Sequence, residues 1–238
     1  IQNMKTKTFI CAILSMVALS FNCFGKIRYF TIGELIDNAN VIVVAEIKIV
    51  DGQPVANVIK KIKGDPEEQI KLRNLSAQNM DNVEYKDAEK TLLFLDILQT
   101  DGYRCLIGHG DQAKWPKYVE NYGFKKSFFS TINKVTEAVE ILVKTQGNTD
   151  LQTSALHKML TSNDVFYEAV ALQYMIPDSS SNLRNTLRED IEKLQQSPDL
   201  DIKELAVLLL TYIERDDAFE EFKLNRDESL MNKHNVQK

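Results

Sequence analysis

Val41-Ile42-Val43-Val44-Ala45-Glu46-Ile47-Lys48-Ile49-Val50 is the stretch on which the fold of this chain turns. Its first half is a continuous apolar run. Its second half alternates, with Glu46 and Lys48 on one side and Ile47 and Ile49 on the other. A strand covered on both faces at one end and half exposed at the other has this pattern. Asp51-Gly52 is a hairpin signal. Val55 to Ile62 is rich in β-branched residues and stops at Lys63-Gly64-Asp65-Pro66, where Gly permits a positive φ and Pro withholds a ladder donor. Gln69 to Leu75 alternates again. Thr91 to Leu98 is a short apolar block, Thr100-Asp101-Gly102 turns the chain, and Tyr103 to Ile107 returns. Five short strands with no helix between them predict a small antiparallel barrel or sandwich.

On the N-terminal side, Thr31-Ile32-Gly33-Glu34 fits a capping box and predicts a short helix to about Asn38. On the C-terminal side the period changes at Ser127. Ile132, Val135, Val139, Leu142 and Val143 share a helical face that ends at Gly147. Leu151, Ala155, Leu156, Met159 and Leu160 follow, then Val165, Phe166, Ala169, Val170 and Met175 up to Pro177. Leu183, Leu187, Ile191 and Leu194 recur at near-heptad spacing, and Ile202 to Ile213 is apolar nearly all round, the pattern of a buried helix. Phe219 and Phe222 are expected in a last amphipathic turn.

The expected fold class is therefore α+β: an N-terminal small antiparallel β-barrel followed by a C-terminal all-helical bundle or short solenoid. The expected boundaries are 1–25 for a signal peptide, 26–119 for the barrel, 120–226 for the helices and 227–238 for a flexible tail. Short loops make the helices antiparallel neighbours.

Ala39 to Ile47, Val58-Ile59-Lys60-Lys61-Ile62-Lys63-Gly64, Ile70-Lys71-Leu72, Lys90 to Leu95 and Gly102-Tyr103 together resemble a domain of many exported bacterial proteins, similar to the OB-fold barrel of netrin/TIMP-like modules. The resemblance covers roughly residues 31–118. It implies an OB-like barrel. In the metalloproteinase inhibitors of that group a mature N-terminal cysteine and a set of disulfides carry inhibition, and this chain departs from that pattern, so the resemblance implies a fold and not protease inhibition. The helical half resembles HEAT-type helices in length and apolar spacing, although its helix pairs do not match each other as repeats.

Met4 reads as the translational start. Lys5 and Lys7, the apolar run Phe9 to Leu19, and Ser20-Phe21-Asn22-Cys23-Phe24-Gly25 have the order of a secretory signal peptide. Cleavage is expected after Gly25, with Ser20 as the alternative. The apolar run is short for a spanning helix, which needs about 20 residues, so no transmembrane span is expected after cleavage. Lipid anchoring at Cys23 is a minor alternative, because Phe21 and Asn22 are not the small residues that usually precede a lipidated cysteine. The expected location is periplasmic or secreted.

The whole chain has 238 residues, 44% of them hydrophobic and 26% charged, with 29 basic against 34 acidic side chains and only three cysteines. These values exclude a disordered, collagen-like or disulfide-rich chain. Losing Lys5 and Lys7 with the leader takes the formal charge from -5 to -7. Neither balance favours nucleic acid. After a cut at Gly25 only Cys105 remains, so the exported form has to fold by its core without an internal disulfide.

The densest chemical cluster is Cys105-Leu106-Ile107-Gly108-His109-Gly110-Asp111, a thiol, an imidazole and a carboxylate within seven residues. In an extended strand, however, Cys105 and His109 would lie roughly 13 Å apart. They are weak catalytic candidates beside Asp111. No dedicated metal site is expected, since no CxxC, HxH or HExxH occurs and His157 reads as a helix-surface residue. No phosphate-cradling Gly loop and no nucleophile elbow is present, and no cofactor is expected. Asp216-Asp217 and Glu220-Glu221, interleaved with Arg215 and Lys223, read as a solvated helix face.

The segment from Trp115 to Phe129 is the most aromatic, and Trp115, Tyr118, Tyr122 and Phe124 are the candidate partner or ligand contacts. It also joins the two halves, where aromatics serve most simply as packing. The expectation is an exported, non-catalytic binding or protein-interaction module whose partner is another envelope or extracellular protein, not nucleic acid. The alternatives are an enzyme with a site around Cys105, His109 and Trp115, and a structural subunit of an envelope complex. Oligomeric state is left open by the sequence.

Overall fold

The computed structural model describes residues 30–76, 85–97, 104–106, 130–177 and 180–235, with the side chains at 74–76, 104–106 and 219–235 outside that description. The first element is the helix α1, Ile32–Asn38. Its capping box forms as the sequence predicts: the Glu34 amide donates to Thr31 Oγ1 at 3.2 Å, and Thr31 N–H donates to the Glu34 carboxylate at 2.9 Å. At the other end Lys63 Nζ donates to the Ile36 carbonyl at 2.6 Å, which satisfies one of the carbonyls a helix end leaves open.

Five strands follow: β1 Val41–Val50, β2 Gln53–Lys63, β3 Gln69–Ser76, β4 Lys90–Ile97 and β5 Arg104–Leu106. β1 is buried from Val41 to Ala45 and exposed from Lys48 to Val50, the gradient its sequence carries. Asp51 and Gly52 both take positive φ, 50° and 77°, and close the β1–β2 hairpin with Val50 opposite Gln53. Four long antiparallel strands in the order β3-β2-β1-β4 make a curled sheet. The short β5 lies between β3 and β4 and closes the ring, antiparallel to β4 but parallel to β3.

The curl has a local cause. Along β1, Val44 faces Lys60 while Ala45 faces Val58, and Ile42 faces Lys63 while Val43 faces Lys61. Ile59 and Ile62 are therefore extra residues in β2, and each such bulge bends the strand and increases its twist. Gly64 then turns the chain at φ 75°, where an added Cβ would sit 2.6 Å from the Asn40 carbonyl oxygen.

The remaining elements are helices: α2 Ile132–Thr145, α3 Thr149–Leu160, α4 Val165–Tyr174, α5 Ser181–Thr186, α6 Arg188–Leu194 and α7 Leu200–Asn235. Thr131, Asn148 and Asp164 cap α2, α3 and α4 with side-chain hydrogen bonds. The single helix expected over Leu183 to Leu194 is divided at Leu187, whose ψ of 15° leaves the helical range, yet Leu183, Leu187 and Ile191 all remain buried. Among the described residues no helix is long and apolar enough to cross a membrane.

α7 departs from its sequence reading in two ways. It is one helix of 36 residues, running through Asp227 to Asn235, the stretch expected as tail. It is also not buried all round. Ile202, Leu205, Ala206, Leu209 and Ile213 face the core, while Val207 and Leu208 are exposed. Among the described elements its main neighbours are α4, α5 and α6.

The buried side chains form one cluster that runs from α1 and the sheet into the helices. Gly33 is the point of closest approach, since a Cβ there would lie 2.9 Å from the Tyr174 carbonyl oxygen of α4. Polar contacts add to this seam: Lys60 of β2 pairs with Glu140 of α2 at 2.5 Å, and Gln146 donates to Asp37 at 2.7 Å.

Candidate functional site

β2 outruns its neighbour. β3 pairs with it only from Val55 to Asn57, and the Val58 amide donates to the Glu68 carbonyl at 2.8 Å. Past that point β2 is laddered to β1 alone. The first bulge turns Ile59 outward, 54% exposed. Beside it lies an open groove of about 480 Å³, lined among others by Lys48, Asn57, Ile59, Lys61, Glu68 and Gln69.

The lining supplies amines, a carboxylate and two primary amides around an apolar floor. Among the described residues no hydroxyl, thiol or imidazole side chain lines it. The groups present can hold a ligand by ion pairs and hydrogen bonds. Two of the amines already have partners: Lys60 pairs with Glu140, and Lys61 donates to Asp65 at 2.6 Å. Lysines and bulges on the stretch of β2 past Val58 also discourage edge-to-edge strand pairing.

The sequence candidates fall elsewhere. Cys105 is in β5, opposite Asp96 of β4 in the ladder, with its side chain outside the description. His109, Asp111, Trp115, Tyr118, Tyr122 and Phe124 lie outside the described residues, as do Cys23 and the whole leader. His157 does lie on a helix surface, half exposed, but it is not idle: its Nδ1 meets Asp190 Oδ2 at 2.5 Å and links α3 to α6. Lys193 Nζ reaches the other Asp190 oxygen at 3.1 Å. Burial opposes ionisation of Asp190, but the hydrogen bonds from His157 and Lys193 outweigh it and hold the carboxyl below its usual range. Among the described residues no three His, Cys, Asp or Glu side chains are grouped to hold a metal.

Three buried groups escaped the sequence reading. Arg184 is 1% exposed, and its guanidinium donates to the carbonyls of Met175 and Pro177 at 2.9 and 2.8 Å and to Asp216 at 2.7 Å. Glu168 is buried in the first turn of α4; burial, then the nearby charges of Asp164 and Asp199, push its carboxyl above the usual range. Tyr174, at the seam with α1, is pushed up to about 12 by burial and by Asp37, against a hydrogen bond with Gln152. Only non-local packing makes these residues special, and no sequence spacing signals it.

Comparison of the chain with protein-family models, curated proteins and solved structures gives no match.

Proposed function

We propose that the protein is exported and works as a non-catalytic binding or protein-interaction module, an OB-like barrel carried on a short HEAT-like helical array. The observation that carries the binding reading is the groove on β2 and the start of β3, with its mixed polar and apolar lining. Five-stranded Greek-key barrels of the OB type use the face of their second and third strands for ligands. The ring order β1-β2-β3-β5-β4, with β3 and β5 parallel, supports the OB-like assignment. Export is supported by Lys5, Lys7 and the apolar run from Phe9 to Leu19. The proposed partner is another envelope or extracellular protein.

The test has two arms. Fractionation with N-terminal sequencing should recover an exported chain beginning at Lys26 or Phe21; an uncut chain in the cytoplasm would overturn export. A cross-linking pull-down from the native envelope should recover a partner with the wild-type chain and lose it with Ile59→Asp in the groove. Recovery unchanged by Ile59→Asp would overturn the groove as the binding site. Rapid reaction of Cys105 with a thiol reagent near neutral pH would favour the enzyme alternative.

A further inference from the structure

α7 is covered on one side, and its open side is patterned. At about 100° per residue, Leu200, Val207, Thr211 and Ala218 fall along one line down the helix, and all four are exposed. Leu200 is 65% and Val207 46% exposed. Lys203 and Glu214 flank this line on one side, and Glu204 and Arg215 flank it on the other, all exposed. Among the described residues Lys203, Glu204 and Glu214 have no ion-pair partner in their own chain.

We infer that this face is a homodimer interface, in which the α7 helices of two copies pack antiparallel about a two-fold axis passing close to Leu209. In such a pair each flank meets the same flank of the other copy. Lys203 then faces Glu214, and Glu204 faces Arg215, so both flanks are complementary in charge. The same axis sets Leu200 against Ala218 and Val207 against Thr211, a large residue on a small one each time. All four pairings share one centre, at Leu209 to within half a residue, although nothing in a solvated helix requires them to agree. Antiparallel alignment also opposes the two helix dipoles favourably. A parallel pair would instead stack Leu200 on Leu200.

The stripe from Leu200 to Ala218 is roughly 27 Å long. That places it at the small end of specific interfaces and makes the dimer a reversible one in the micromolar range. Because the face lies on the helical half, away from the β2 groove in sequence and element, the proposal stands independently of ligand binding there.

Sedimentation equilibrium of the whole chain over the micromolar range tests it. Wild type should show a reversible monomer–dimer equilibrium, and Val207→Glu should be monomeric throughout. Lys203→Glu and Glu214→Lys should each weaken the dimer about tenfold, because symmetry applies each change twice. The double variant Lys203→Glu/Glu214→Lys should regain it. Circular dichroism should show all four variants folded, since the substituted positions face solvent. A chain that stays monomeric at the highest concentration overturns the proposal, as does a dimer indifferent to Val207→Glu. A double variant weaker than either single one overturns the antiparallel register, because in a parallel pair the swap sets like charges together.

Discussion

Arg184→Met should be the most damaging single substitution outside the apolar core. α4 ends at Tyr174 and Pro177 follows closely, so the Met175 carbonyl points into the packed seam between α4, α5 and α7 with no amide among the described residues to meet it, while the Pro177 carbonyl also accepts from the Ser180 amide at 2.9 Å. The Arg184 guanidinium is the donor to Met175 and a second donor to Pro177, with a longer contact of 3.4 Å to the Ile176 carbonyl. Met retains the stem and roughly the volume, so the packing loss is small. What it leaves is one buried carbonyl, that of Met175, without a donor, at a cost of about 1–3 kcal/mol. Asp216 loses its partner too, but at 27% exposure it returns to water at little cost. Removing the desolvated Arg184 Nε, which has no acceptor, gives some of this back. The net loss is about 2–3 kcal/mol, below the cost of breaking a fully buried ion pair from one side because Asp216 is part exposed.

For a chain of this size that lowers the Tm by about 4–12 °C. Equilibrium urea unfolding followed by far-ultraviolet circular dichroism measures it directly. Asp216→Asn should cost only about 1 kcal/mol. Two outcomes would refute the reasoning. A loss below about 1 kcal/mol for Arg184→Met would mean that water caps the Met175 carbonyl as well as the guanidinium does. Equal losses for Arg184→Met and Asp216→Asn would mean that the ion pair, and not the capping, carries the energy.

Three further predictions rest on separate features. Glu168→Gln should stabilise the protein at pH 7: the Glu168 carboxyl is raised on folding, so its contribution is full below the unfolded value of 4.5 and lost as pH rises through the folded one. The gain over wild type in urea midpoint should vanish near pH 4, and an equal gain at both pH values would sink the idea. Asp190→Asn should cost about 1 kcal/mol at pH 7 and flatten the acid limb of the stability curve. Asp190 is depressed on folding, so wild type holds that stability above the unfolded value of 3.8 and loses it as pH falls through the folded one; an unchanged acid limb counts against the His157–Asp190 link. Gly64→Ala should cost at least about 1 kcal/mol more than Gly52→Ala. Both glycines have positive φ, but only Gly64 has the Asn40 carbonyl in the way, and equal thermal shifts would contradict that account.

The parts of the fold that were legible in the sequence are those fixed within a few residues. Thr31 and Glu34 specify the cap of α1, Asp51-Gly52 the first hairpin, and the burial gradient of β1 is written in its own switch from a continuous run to alternation. Gly147, at φ 78°, stops α2 where expected. What escaped depends on partners far along the chain. The parallel β3–β5 contact needs a barrel to close before it exists. An arginine between Leu183 and Asn185 looks like any helix-surface residue until α4 delivers its carbonyls. Composition made Ile202 to Ile213 look buried on every side, but whether Val207 and Leu208 are covered depends on how many helices surround α7. For the site, the sequence favoured residues with reactive side chains, most of which fall outside the described residues. The groove on β2 is made by the bulge at Ile59 and a ladder that ends early, and no motif encodes either.

The seam between the halves bears on how the groove can be used. Lys60 lines the groove and also pairs with Glu140 of α2, whose side chain is only 17% exposed. Displacing Lys60 from Glu140 would leave a largely covered carboxylate without its cation, a cost well above that of breaking a surface pair. Lys61 is different: its partner Asp65 is almost fully exposed, so that amine is free to exchange a carboxylate for a ligand. Lys48 stands at the exposed end of β1. In the proposed binding reading, Lys48 and Lys61 are the amines open to an occupant of the groove, while Lys60 keeps the sheet fastened to α2. Since the same buried cluster runs from α1 through α4, the barrel face and the helices are held as one packed body, and the groove presents itself in one fixed orientation to α2.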